Sequence, residues 1–169
     1  MDFLIPPSRP SDRGGELRDI EPDFGAIIAP GLELAFLDRR RVALAGWTPF
    51  GEEAARDVCG CGAGAFVVLK ALAFDGRGES KDAYDLDYAL RWHGRSVDDI
   101  AESLSPLMES ADTRRAIEVL RRDSLTHDAV GPRRVAEFLF GAPDDEIQAG
   151  VAGFTARLLD RLGSARETL

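Results

Sequence analysis

Hydrophobic residues recur in two rhythms along this chain. In the first third they come in short runs broken by Pro and Gly. Residues 1–5, with Asp-Phe-Leu-Ile closed by Pro6 and Pro7, read as a strand. Residues 6–23 (PPSRPSDRGGELRDIEPD) are rich in Pro, Gly, Ser and charge, and are expected to form a long mobile loop. Phe24–Ala29 is a second apolar run. Leu32–Phe36 fits strand or helix, and Arg41–Ala45 alternates as a strand does. Gly46–Gly51 carries turn chemistry, and Ala54–Cys59 is a further strand candidate.

From Ala65 onward the rhythm changes to steps of three and four. One helix is expected to run to about Asp75, ended by Gly76 and Gly78. The next starts at Ser80 as N-cap, with Asp82 in the first turn, where the helix dipole favours negative charge. Its apolar positions are Leu86, Ala89 and Leu90, and Gly94 closes it. Ser96 caps a helix with Asp98 and Asp99 in its first turn, Asp112 opens another, and Gly131-Pro132 begins a short one. The last helix starts at Pro143 and carries Ile147, Val151, Phe154 and Leu158 on one face. Strands first and helices later make an α+β chain. Residues 1–61 are the sheet region and residues 62–169 a helical bundle packed on it as one compact unit.

Composition sharpens this picture in three places. Hydrophobic residues are 44% and charged residues 30% of the 169, ordinary for a globular domain with a real core. The net charge of −9 disfavours non-specific adhesion to nucleic acid or anionic membrane. No basic n-region or bilayer-length apolar run is visible, so a cytoplasmic protein that does not enter membranes is expected. Cys59 and Cys61 are read as opposite-facing, unbridged thiols of a strand. His93 and His127 lack the spacing to complete a zinc site with them. His93 is read as a helix-end dipole partner and His127 as half of a solvated pair with Asp128.

The chain has only two lysines, Lys70 and Lys81, and both fall in one short stretch. Gly60, Gly62 and Gly64 precede it and invite a phosphate-loop reading. Their spacing is not that of the dinucleotide fingerprint and no Gly-Lys-Ser/Thr follows, so a flexible link into a buried helix is preferred. Lys70 sits inside the run Ala65–Phe74, which is otherwise apolar on every side. Such a lysine must snorkel, pair with a carboxylate or serve a ligand. Arg77, seven residues on, falls on nearly the same helical face, so the two can form a basic line for phosphate. Asp82 and Asp85, three apart, share a face of the next helix, while Asp87 points elsewhere. Two readings stay open from the residues: a buried Lys70–Asp85 ion pair with Asp82 near the cap, or a ligand-binding role.

The stretch FVVLKALAFDGRGESKDAYDL resembles a signature of the AbiEii-like nucleotidyltransferases, the toxin half of type IV toxin–antitoxin systems. Lys70, Arg77, Lys81, Asp82 and Asp85 stand at the matching positions. The likeness covers residues 1–93 well and the later helices in character only. It implies a polymerase-beta-like fold, here the short N-terminal strands of a truncated nucleotidyltransferase sheet followed by helices. It also implies Mg²⁺-dependent transfer from a nucleoside triphosphate, with RNA as acceptor and a cognate antitoxin as further partner. Lys70, Asp82 and Asp85 would be catalytic, and Lys70, Arg77 and Lys81 would contact phosphate. Asp2 looks like the family's third acidic residue and would be a metal ligand. The Gly-Ser and Asp-x-Asp motifs that should precede it are missing: Gly163-Ser164 lies at the far end, and Asp85-Leu86-Asp87 falls on a predicted helix. On this likeness the chain lacks the front half of the catalytic domain. It is therefore expected to be inactive or to depend on a partner that supplies that half. The alternatives are a non-catalytic module that binds nucleotide or protein, and a structural remnant.

Overall fold

The structure is a computed structural model that describes residues 3–164. Strand β1 (Leu4–Ile5) runs parallel to β3 (Phe24–Ile28), and β2 (Leu17–Glu21) pairs antiparallel with β3 on its other side. The order is thus β1-β3-β2, with an irregularity between Asp19 and Glu21. Only the central strand buries side chains, Ala26 and Ile28.

The expected mobile loop at 6–23 needs correction, because its last third is strand β2. The remainder is tied down: Asp12 accepts hydrogen bonds from the backbone N–H of Ser8 and Arg9, and Arg18 donates to Ser8 Oγ and the Pro6 carbonyl. The strand escapes notice because Leu17 and Ile20 are both exposed, so LRDIE shows no alternation of burial.

After a short helix α1 (Leu34–Leu37), β4 (Arg39–Trp47) and β5 (Glu53–Cys61) form a separate two-stranded ribbon. Both strands run longer than the alternation suggested. Cys59 and Cys61 pair with Arg41 and Arg39, so they lie on one face of the ribbon. Positions two apart in a strand must do so, and the opposite-facing expectation was wrong. Both cysteines are free thiols.

Helices fill the rest: α2 (Ala63–Arg77), α3 (Ser80–Trp92), α4 (Val97–Leu104), α5 (Ala111–Ser124), α6 (Val130–Phe140) and α7 (Asp145–Ser164), with a 3₁₀ turn at Ser105–Leu107. Helix α2 is the centre of the bundle. Ala65, Val67, Val68 and Ala71 have no exposed surface, which is why the sequence is apolar all round there. Leu86 and Leu90 of α3, Ile100 and Leu104 of α4, Ile117 and Leu120 of α5 and Leu158 of α7 complete the same core, and Leu34 joins it from the strand half.

Two expectations about α2 change. The helix runs through Gly76 and stops at Gly78, whose φ of 66° is the left-handed conformation glycine tolerates. At the start of α2, Gly62 and Gly64 are close-approach positions and not a flexible link. A Cβ on Gly64 would lie 2.3 Å from the Ser103 carbonyl oxygen of α4, and one on Gly62 would lie 2.0 Å from the Asp38 carboxylate. That carboxylate caps α2 from 27 residues upstream, accepting from the Ala65 N–H at 3.0 Å. At α3 the N-cap is Glu79, and Ser80 is the first helical residue. Ser96 caps α4 as expected, accepting from the Asp98 N–H, and α5 opens at Ala111 with Ser110 as its cap, accepting from the Asp112 N–H.

Candidate functional site

The hairpin between α2 and α3 brings five of the predicted residues together. Lys70 and Arg77 are two turns apart on α2, and Asp82 and Asp85 share the first turns of α3. Only Gly78 and Glu79 separate the helices, so the two faces must meet. Lys70 Nζ lies 3.0 Å from Asp82 Oδ1 and 2.5 Å from Asp85 Oδ2. Arg77 clamps Asp82 bidentately, Nε to Oδ2 at 2.6 Å and Nη2 to Oδ1 at 2.9 Å. Lys81 donates to both oxygens of Asp85, at 3.0 and 2.7 Å. Lys70 also stands 5.8 Å from the centre of the Phe66 ring.

The network is graded from inside to outside. Asp82 is 1% exposed, whereas the side chains of Arg77 and Lys81 are 61% and 65% exposed. Burial works against the charge of Asp82, but hydrogen bonds and charge from Arg77 and Lys70 outweigh it and hold the carboxyl below its ordinary range. Asp85 is likewise lowered, burial being overcome by Lys70 and Lys81. Burial opposes the charge of Lys70 too, and Asp85 and Asp82 more than restore it, raising its pKa. Lys70, Asp82 and Asp85 are therefore charged at neutral pH, and the network sets three basic side chains around two carboxylates.

Mg²⁺, which the resemblance implies, needs several free oxygen ligands. All four carboxylate oxygens of Asp82 and Asp85 already face Lys70, Arg77 or Lys81. The described residues contain no cluster of three or more His, Cys, Asp or Glu side chains arranged for a metal ion. Asp2 lies outside the described residues. The groups present at this hairpin thus do not fit a divalent cation.

Sequence reading missed a second buried pair one turn further along α3. Asp87 is 5% exposed and bonds Arg91 Nε at 2.7 Å, and the Arg91 guanidinium lies 4.8 Å from the centre of the Phe154 ring of α7. Burial raises the Asp87 pKa despite Arg91. The signal was the four-residue spacing of Asp87 and Arg91. A third group joins α2 to α5, where Asp75 bonds Arg115 at 2.7 Å and Arg122 at 2.8 Å. His93 is the C-cap residue of α3 and lines a hollow with Asp38, Arg40, Asp99 and Glu102. His127 is exposed, and its carbonyl accepts from Gln148 Nε2. Neither that hollow nor a second one between α4 and α7 includes Lys70 or its partners.

Among the described residues no helix is long and apolar enough to cross a membrane. No family model, no curated protein and no solved structure matches this chain.

Proposed function

We propose that this chain is a nucleotidyltransferase-like protein of the AbiEii type whose α2–α3 hairpin forms the phosphate-facing side of a nucleotide site. One observation carries the reading. Asp82 and Asp85 hold Arg77 and Lys81 at the solvent edge of a network in which three cations bond two carboxylates, with Glu79 a further negative charge near Arg77. Arg77 engages Asp82 through Nε and Nη2, so its Nη1 takes no part in that clamp. A planar guanidinium fixed in this way is preorganised for a phosphate oxygen, and the Lys81 ammonium adds a second charge beside it. Lys70 then acts from behind, as the residue that positions Asp82 and Asp85.

Phosphoryl chemistry needs metal-held oxygens, and the carboxylates of this hairpin are already neutralised. On this reading the chain binds nucleotide and leaves transfer to RNA to an assembly in which a partner supplies Gly-Ser and Asp-x-Asp. Titration calorimetry with ATP and CTP tests the binding, and no saturable heat at millimolar nucleotide would sink it. Label transfer from NTP to tRNA above a Lys70→Ala control would show instead that the chain is catalytic alone.

A second reading rests on the same distances. Each cation has a carboxylate within 3.0 Å, so the network also serves as a clip that locks the hairpin. The two readings separate at Arg77 and Lys81, whose exposure adds little to a clip and is required for a ligand.

A further inference from the structure

The β4–β5 ribbon is the part of the molecule least explained by the bundle. Every residue of β4 is exposed, including Val42, Leu44 and Trp47. Its register is regular, each β4 residue facing one β5 residue from Arg39–Cys61 to Trp47–Glu53. Gly62 donates to the Asp38 carbonyl at one end, and Thr48 donates to the Glu52 carbonyl at the other. Hydrogen-bonded pairs alternate in an antiparallel ladder, so the even-numbered residues of β4 bond to β5. The odd ones, Arg39, Arg41, Ala43, Ala45 and Trp47, aim their N–H and C=O groups outward along an edge that pairs with no strand among the described residues.

The geometry points to this edge as a self-association surface: β4 pairs antiparallel with β4 of a second copy of the chain, centred on Ala43. Charge placement selects that occupant and that register. The arginines of β4 all lie in its first third, and its second half is apolar. Centring on Ala43 sets Arg39 opposite the second copy's Trp47, Arg41 opposite Ala45 and Val42 opposite Leu44, so no like charges meet. Arg39 then gains a cation–π contact, with Glu53 on the next strand across from Trp47. Ala43 is an odd position, so the central pair is one that exchanges both backbone hydrogen bonds. Pairing β5 with itself about its midpoint would set Asp57 against Asp57. Pairing β4 with β5 of another copy would not close and would propagate as a filament. The β4–β4 arrangement gives a closed two-fold, four-stranded sheet without setting like charges against each other, and one of its faces carries Val42, Leu44 and Val58 from both copies.

The test is the mass of the full chain in solution by sedimentation equilibrium, with two kinds of variant. Wild type is expected to be dimeric, and Leu44→Lys and Val42→Lys monomeric with unchanged helical circular dichroism. In a Cys59→Ser/Cys61→Ser background, Ala43→Cys is expected to form a disulfide-linked dimer under mild oxidation, because a hydrogen-bonded pair sets the Cα atoms about 5.5 Å apart, within disulfide reach. A wild type that stays monomeric up to millimolar concentration overturns the inference. So does a dimer that survives both lysine substitutions and leaves the Ala43→Cys variant unlinked.

Discussion

Asp82 Oδ1 lies 3.0 Å from Lys70 Nζ, and the carboxylate is 1% exposed while the ammonium end stays partly open. The pair is therefore asymmetric. Asp82 depends on its partners for solvation, and Lys70 depends on Asp82 less, because Asp85 and water also reach it. Removing the carboxylate takes away the group that both Lys70 and Arg77 bond, while Lys70 keeps Asp85 and Arg77 stays open to solvent. Removing the ammonium leaves Asp82 in the Arg77 clamp.

The first prediction follows from that asymmetry. Asp82→Ala is expected to cost about 3 kcal/mol of stability, because it removes the charge-assisted hydrogen bonds from Lys70 and Arg77 to a buried carboxylate and leaves a void in its place. Lys70→Met, which keeps the length and packs among apolar neighbours, is expected to cost less than half as much. Urea unfolding of the two variants and their double mutant measures the coupling, and equal losses would contradict the asymmetry.

The acid limb of stability carries a sign that can be checked. Asp82 and Asp85 have folded pKa values below the ordinary 3.8, so their contribution is full above about pH 4 and is lost as pH falls through the folded values. Lys70 is raised above 10.5, so its contribution is full below that pH and is lost as pH rises through the folded value. Asp87 runs the other way: its raised pKa means that its charged form costs stability near neutrality, and acid relieves that cost. Unfolding curves should therefore fall below pH 4 in wild type and flatten there in Asp82→Asn. Asp87→Asn should gain stability over wild type more at pH 7 than at pH 4.

The start of α2 should be intolerant in a specific way. Gly64→Ala would drive a Cβ into the Ser103 carbonyl, a backbone atom that cannot swing aside, and is expected to cost about 1–3 kcal/mol. Asp38→Ala removes the side chain that caps Ala65 N–H and is expected to cost about 1 kcal/mol. Thermal melts that leave both variants unchanged would contradict the packing described here.

What the sequence disclosed follows from how local each cause is. Lys70 stood out because a charge in a helix apolar on all sides has few explanations, and Asp82 and Asp85 because three-residue spacing fixes a shared face. Of the two readings that the residues left open, the ion pair is present, with Asp82 more deeply buried than Asp85 and engaged by Arg77 as well. The Asp38 cap could not be read, because it acts from 27 residues away across a ribbon. Strand β2 and the full length of the ribbon were hidden for a different reason. Alternation reports a contrast between a buried and an open face, and strands exposed on both faces have none.

The claim that matters most is that Arg77 and Lys81 face a ligand while Asp82 and Asp85 hold them in place. The direct measurement is calorimetric titration of ATP into wild type and into Arg77→Ala/Lys81→Ala. The account predicts saturable binding to wild type, weakened at least tenfold in the variant, which keeps its helical circular dichroism although loss of the Arg77 clamp on buried Asp82 lowers its melting temperature. Equal affinity in the two proteins, or a variant that fails to fold while wild type binds no nucleotide, would leave the network a structural clip and contradict the account.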